Sequence, residues 1–337
     1  MDVAQRVVVV GDGGWGTALA EMLATSGKEG GLWSHDPENA TQMNASRQNP
    51  RFLPGFDIHP SIRIDHDLER LLPDVDMLVS AVPTAYLRDV WSHHAPLLPE
   101  RVPLLSVSKG LEQGSHLRPT EILGELVGDR HIGVLSGPNI AREIARGLPA
   151  ATVVSSPSPE TTAMFQHTLS SETFRVYSNA DPKGVELGGV LKNVIAIAAG
   201  MCDGLHLGTN AKASLCTRGV IEMARLGERL GGTRRTFFGM SGLGDLLTTC
   251  YSPASRNRTF GERLGRGELV EDIVASMTMV AEGVRTSAPV HALMQEHDLA
   301  LPISEQVYYV IHEGKSPRDV TRALMTRGMK DEAEDLL

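Results

Sequence analysis

Two regimes follow one another along this chain, an α/β first half and an all-α second half. Three observations predict them. Short continuous apolar runs recur through the first half, the kind that sit buried on both faces of a parallel sheet, with helical or irregular segments between them. After Asp181-Pro-Lys-Gly184 the runs give way to long stretches of helical period. The first apolar run also leads into a glycine turn and then a helix.

Arg6 to Val10 is a β-branched run and reads as the first strand, because branched side chains suit a pleated surface better than a helix. Gly11-Asp-Gly-Gly-Trp-Gly16 follows, and Thr17 to Ser26 reads as a helix closed by Gly27. Further strands are expected at 31–34, 77–82, 104–107, 132–135, 151–154 and 174–177. Ser155-Ser-Pro-Ser-Pro159 reads as a loop between elements. Helices are expected at 184–201, 210–230, 268–277, 287–297 and 302–313. The domain boundary falls between them, giving residues 1–182 and 183–337.

Gly11, Gly13 and Gly16 have the G-x-G-x-x-G spacing in its required setting, strand before and helix after. The first glycine permits the turn, the second lets backbone approach a pyrophosphate, and the third lets helix and strand pack closely. The first half is therefore expected to be a Rossmann-like dinucleotide-binding sheet. Asp12 is odd in this place, since a carboxylate beside a pyrophosphate repels it unless the side chain points to solvent. An acid for the ribose hydroxyls is expected about twenty residues on. Asp36 fits and by itself favours NAD, whereas His35 beside it suits the 2′-phosphate of NADP; a capped loop before Pro37 accounts for both equally well. The choice between NAD and NADP stays open.

In an open parallel sheet, ligands bind beyond the carboxyl ends of the strands. Lys109 follows a buried strand and precedes Gly110, and Ser136-Gly-Pro-Asn-Ile-Ala141 is a turn with exposed amides before a helix. In the second half, Lys192 sits inside an apolar helical run. Desolvation favours the neutral amine, which makes it a candidate general base. The alternative is a stem on apolar surface with its ammonium in water. Gly188, Gly189, Ala196 and Ala199 share its helix face, and their small size is expected to leave room for nicotinamide and substrate. Glycines at 239, 242 and 244 lead into Asp245 and Thr249, and their density implies close backbone approach rather than helix. Ser255-Arg-Asn-Arg258 offers guanidinium and amide donors in the geometry a phosphate wants.

The bulk properties agree with a small-molecule partner. With 41% hydrophobic and 22% charged residues over 337, the chain has material for two ordinary cores. A formal net charge of −9 argues against nucleic acid or an anionic membrane surface as the main partner. Cys202, Cys216 and Cys250 are unevenly spaced, without C-x-x-C or a His pair at ligand spacing, so neither disulfides nor a metal site is expected. No uncharged apolar stretch reaches membrane-spanning length, and the acidic start runs into a strand rather than a secretory leader; a cytoplasmic protein is expected.

Taken in order, the segments GDGGWGTALA, SKGLE, SGPNIA, LGGVLKNVIAIAAGMCDG, GLGDLLTTC, SRNRTFGERLG and VAEGVRT resemble NAD(P)-dependent glycerol-3-phosphate dehydrogenase, the bacterial type especially. The resemblance runs from about Val7 to the C-terminal helices. It implies an oxidoreductase that interconverts dihydroxyacetone phosphate and sn-glycerol 3-phosphate, a glycerophospholipid precursor, by reversible hydride transfer with NAD or NADP, and a homodimer. It further implies dinucleotide contacts at Gly14, Trp15, His35, Lys109, Ala141, Arg256, Val280 and Glu282, beside Gly11, Gly13 and Gly16 of the turn. Lys192 matches the proton acceptor, with Asp245 orienting it and Lys109 steadying charge on the substrate oxygen. Lys109, Gly137, Asn139, Lys192, Asp245, Ser255, Arg256 and Asn257 match positions around the three-carbon phosphate, with Arg256 and Asn257 as phosphate donors. Two residues depart from the pattern: Asp12 stands where alanine is common, and Asn139 where serine or threonine is frequent. The rivals are a 6-phosphogluconate or β-hydroxyacid-type dehydrogenase, disfavoured by the SRNR and GLGDL segments, and a non-catalytic NAD(P)-sensing module.

Overall fold

The computed structural model describes residues 3–128, 130–277, 281–329 and 331–332, so Val280 lies outside the described residues. The chain divides into two compact units, Met1–Lys109 with Leu117–Val185, and Gly110–His116 with Glu186–Leu337.

The first unit is built on an eight-stranded sheet. Its strands are β1 (Arg6–Val10), β2 (Glu29–Trp33), β5 (Arg63–Asp65), β6 (Met77–Ser80), β7 (Leu104–Ser106), β8 (Ile132–Ser136), β9 (Ala150–Ser155) and β10 (Phe174–Asn179). A separate hairpin, β3 (Gln48–Asn49) and β4 (Leu53–Asp57), completes the set. The sheet order is β10-β9-β8-β7-β6-β1-β2-β5, and every pairing is parallel except β8 with β9. Helices α1 (Gly14–Thr25), α2 (Pro37–Ser46), α3 (Thr84–His94), α4 (Pro119–Val127), α5 (Ala141–Ile144) and α6 (Pro159–Leu169) connect the strands. The alternation along β1 explains its apolar run: Val7 and Val9 join the core with Leu19 and Phe165, while Val8 and Val10 join the one with Trp91 and Leu104. Both faces are covered, and each buried valine contributes about 1.5–3 kcal/mol of transfer free energy.

The sheet departs from expectation at its edges. β5 has three residues with a charge at either end, and the β3–β4 hairpin is short, with Pro54 and Gly55 interrupting β4, so neither carries an apolar run. The antiparallel pairing of β8 with β9 makes the sheet mixed. α1 begins at Gly14 rather than Thr17, because the glycine turn itself forms the first helical turn.

The second unit is helical: α7 (Pro182–Gly204), α8 (Gly208–Arg229), α9 (Asp245–Tyr251), α10 (Arg256–Gly265), α11 (Val270–Ser276), α12 (Glu282–Glu296), α13 (Pro302–His312) and α14 (Pro317–Met325). Among the described residues α7 is the one helix long and apolar enough to cross a membrane, and its apolar window is wholly buried, as a core helix's is. Glycines let α7 and α10 pack backbone to backbone: a Cβ on Gly200 would fall on the Arg258 carbonyl, and one on Gly261 on the Ile197 carbonyl. The glycine-rich segment before Asp245 was expected to be non-helical. It forms a π-helical turn, Met240–Gly244, that runs directly into α9. Close approach and helix coexist there, since a Cβ on Gly242 would land on the Phe237 carbonyl.

Candidate active site

The glycine turn separates the demands of the fold from those of a ligand. Gly11 has φ +118°, a conformation side chains rarely adopt. A Cβ on Gly16 would fall on the Gly11 carbonyl oxygen, and one on Gly14 would meet the Phe52 carbonyl at 2.7 Å. Gly13 differs: a Cβ there meets nothing within 4 Å. Gly13 is also the N-cap of α1 and supplies no side-chain acceptor. The first amides of α1 therefore face outward with the positive end of the helix dipole, which is how this fold class receives a pyrophosphate. Trp15 follows in the first turn of α1, half-buried.

Asp12 does not point to solvent. It is 4% exposed, and its Oδ2 accepts from Ser34 Oγ at 2.6 Å and Asn39 Nδ2 at 2.5 Å. Its carbonyl accepts from Asn49 Nδ2 at 2.7 Å. The carboxylate is thus turned toward the end of β2 and the start of α2. Asp36 caps α2, with Oδ1 accepting from the Glu38 and Asn39 amides and Oδ2 lying 3.3 Å from Arg51 Nη1. His35 between them is exposed.

Beyond β7 and β8 three of the expected residues come together. Lys109 Nζ donates to the Gly137 carbonyl at 3.0 Å. Gly137 has φ +143°, and a Cβ there would meet Thr152 Oγ1 at 2.9 Å. Asn139 Nδ2 donates to the same hydroxyl at 3.2 Å, leaving its buried Oδ1 without a partner among the described residues. Ala141 opens α5 just beyond. Thr152, an unremarked residue of an apolar strand, is the hub of this loop.

In the second unit, Lys192 is 6% exposed and does not reach water along the apolar surface. Its Nζ lies 3.1 Å from Asp245 Oδ1 and donates to Thr249 Oγ1 at 2.5 Å; Thr249 Oγ1 in turn donates to the Asp245 carbonyl at 2.7 Å. α7 supplies the lysine, and α9 supplies both partners one turn apart. A carboxylate partner offsets the desolvation of the ammonium, so burial is not acting on Lys192 alone. The small residues on its face are filled by protein: a Cβ on Gly188 would meet the Ser241 carbonyl at 2.8 Å, and Ala196 and Ala199 are fully buried in the helical core. Gly188 admits the π-helical turn that leads into Asp245, which corrects the expectation of open space for a ligand at that position.

Ser255 caps α10, accepting from the Arg258 amide at 3.2 Å, and Arg256 is exposed beside it. Asn257 is 7% exposed and committed at both ends: its Nδ2 donates to Asn193 Oδ1 at 2.9 Å, and its Oδ1 accepts from the Gly283 amide at 2.8 Å. Arg258 is tied to Asp203 at 2.6 Å. The start of α10 is thereby joined to α7, next to Lys192, and to α12, next to Glu282. Burial raises the Glu282 pKa, with Arg256 and Arg285 opposing. Asn193 was not anticipated; a polar residue directly after Lys192 in an apolar helix was its signal.

The chain matches two halves of one family, NAD-dependent glycerol-3-phosphate dehydrogenase N-terminus over residues 6–162 and NAD-dependent glycerol-3-phosphate dehydrogenase C-terminus over residues 181–322. It is 43% identical to glycerol-3-phosphate dehydrogenase [NAD(P)+] of Nitratidesulfovibrio vulgaris (strain DP4) over 333 residues, covering 97% of this chain and 100% of that protein. The protein of the same name from Carboxydothermus hydrogenoformans is 44% identical over 330 residues, 97% of this chain and 98% of that one. The crystal structure of glycerol-3-phosphate dehydrogenase from Coxiella burnetii superposes with a TM-score of 0.92 at 36% identity, covering 96% of this chain and 99% of that chain. With both halves matched and relatives alike along nearly their whole length, the chain belongs to the NAD-dependent glycerol-3-phosphate dehydrogenase family, oxidoreductases that work with NAD or NADP.

Proposed function

We propose that the chain interconverts dihydroxyacetone phosphate and sn-glycerol 3-phosphate, with Lys192 exchanging the proton at the carbinol oxygen. The observation that carries this is the buried Lys192–Asp245–Thr249 triad, a cation fixed by two oxygens of one helix. A bound nicotinamide dinucleotide supplies the hydride. The open Gly13 position and the side-chain-free N-cap of α1 fit its pyrophosphate, and the glycine-turn residues, Trp15, His35, Lys109, Ala141, Arg256, Val280 and Glu282 are the contacts the resemblance assigns. In the reducing direction the Lys192 ammonium donates to the developing alkoxide; in the oxidising direction the neutral amine accepts. Asp245 balances the charge, and Thr249 fixes the direction of the Nζ. Lys109, held by Gly137, stabilises charge on a substrate oxygen, with Asn139 on the same loop. Arg256 and Asn257 at the start of α10 donate to the phosphate beside Ser255, Asn257 with the second N–H of the amide whose first is given to Asn193. The first unit is the dinucleotide-binding domain and the second the substrate domain.

Replacing Lys192 by Met tests the reading. Turnover with dihydroxyacetone phosphate is expected to fall on the order of a hundred- to ten-thousand-fold while the dissociation constant for NADH changes little. Leaving the buried Asp245 carboxylate without the Lys192 ammonium endangers folding, so the Lys192→Met/Asp245→Asn double variant removes both charges. A folded, cofactor-binding variant with near-normal turnover sinks the assignment. We further propose a cytoplasmic homodimer, supported by the resemblance and by three buried free thiols; sedimentation at micromolar concentration checks the dimer.

A further inference from the structure

The relatives' names leave open whether NAD or NADP is used, and the first unit holds an asymmetry that bears on it. In this fold class the 2′ position of the adenosine ribose is met by side chains at the carboxyl end of the second strand, a carboxylate accepting from the 2′-hydroxyl or cations receiving the 2′-phosphate. Here β2 ends at Trp33, and the next residue, Ser34, donates its hydroxyl to Asp12 Oδ2. The carboxylate that faces this strand end therefore comes from the glycine turn. It is held rigidly: Asn39 of α2 donates to the same oxygen, and Thr17 and Asn49 both donate to the Asp12 carbonyl. Oδ1 takes no donor from the described residues.

The charges around it do not favour a phosphate. Asp36 has one oxygen in the α2 cap and the other on Arg51, and that guanidinium also lies over the Phe52 ring, 4.9 Å from its centroid. Glu38 adds a carboxylate in the first turn of α2. Asp12, Asp36 and Glu38 against Arg51 leave a net negative charge before His35 is counted. A 2′-phosphate adds nearly two more negative charges. A 2′-hydroxyl adds none and can donate to a carboxylate oxygen.

We infer that Asp12 makes this chain select NAD over NADP, its carboxylate, fixed by Ser34 and Asn39, repelling the 2′-phosphate. The inference rests on the dinucleotide reading of the glycine turn. It is tested on the full chain by titrating NADH and NADPH by fluorescence at low and high salt, with the wild type, Asp12→Ala and Asp12→Asn, and by turnover of each dinucleotide with dihydroxyacetone phosphate. NADH is expected to bind at least about tenfold tighter than NADPH at low salt, the scale of a close charge contact near a protein surface. Salt is expected to narrow the gap by screening the repulsion, and either Asp12 variant to narrow it by about tenfold through tighter NADPH binding. Tighter binding of NADPH by the wild type, a gap that widens with salt, or a gap that both folded variants leave intact overturns it. A gap that salt leaves unchanged also overturns it, a result that needs no variant and holds even where a substitution disturbs the fold. A chain that binds both dinucleotides and selects between them but reduces no dihydroxyacetone phosphate defeats the proposed reaction and leaves this inference standing.

Discussion

Two helix N-termini in this molecule are treated in opposite ways. At α13, the Ile303 and Ser304 amides donate to the Glu222 carboxylate of α8 at 2.7 and 3.0 Å, and the Ser304 hydroxyl adds a third bond at 2.9 Å. At α1, the N-cap is Gly13, no side chain closes the end, and a Cβ would find empty space. The backbone electrostatics are the same. One end is closed by the protein's own carboxyl group inside a core, and the other has no side-chain acceptor, as the proposed dinucleotide site requires. A helix start that folding has not closed, at the end of a buried parallel strand, is therefore the better marker of a ligand than the glycines around it.

The contrast is most severely tested within the α1 turn. Gly16→Ala is expected to cost about 3 kcal/mol or more, because its Cβ would overlap the Gly11 carbonyl and approach the Ala81 Cβ at 3.1 Å. Thermal denaturation measures it. Gly13→Ala is expected to cost less than about 1 kcal/mol, yet to weaken NADH binding about tenfold by filling the place of the pyrophosphate. Equal stability losses with unchanged NADH affinity would mean that the protein, not a ligand, dictates both glycines.

The same distinction explains what the amino-acid order disclosed. Arg63–Asp65, by contrast with Arg6–Val10, whose two faces are both buried and uninterrupted by a polar position, gives only Ile64 to the core between two charged residues and carries no such signature. Lys192 and Asp245 are legible as charged residues in apolar or glycine-rich surroundings. Their pairing across 53 positions is not, since it depends on a π-helical turn packed against Gly188. Gly188 illustrates the limit: a small residue beside a functional one is the same letter whether backbone or ligand fills the space. Asp12 shows the converse, for its effect turns on Ser34 and Asn39, which no local pattern connects to it.

The smallest expected effect concerns the closed end. Glu222 is buried, and desolvation raises its pKa to about 7, against the opposing pull of the Ile303 and Ser304 donors and of Arg225. An acid whose pKa is higher folded than unfolded binds its proton more tightly in the native state. Its contribution to stability is thus full below the unfolded value of 4.5 and is lost as pH rises through about 7. Between about pH 6 and pH 8 the wild type is expected to lose about 1 kcal/mol from this group. Glu222→Gln removes the titration while presenting an amide that satisfies only one of the two backbone donors, so it is less stable at every pH. Its deficit relative to wild type should shrink by that same amount across the window, read by urea denaturation at each pH. A deficit that stays constant across the window would mean that the helix end holds Glu222 as a carboxylate throughout, with the α13 amides outweighing the cost of burial.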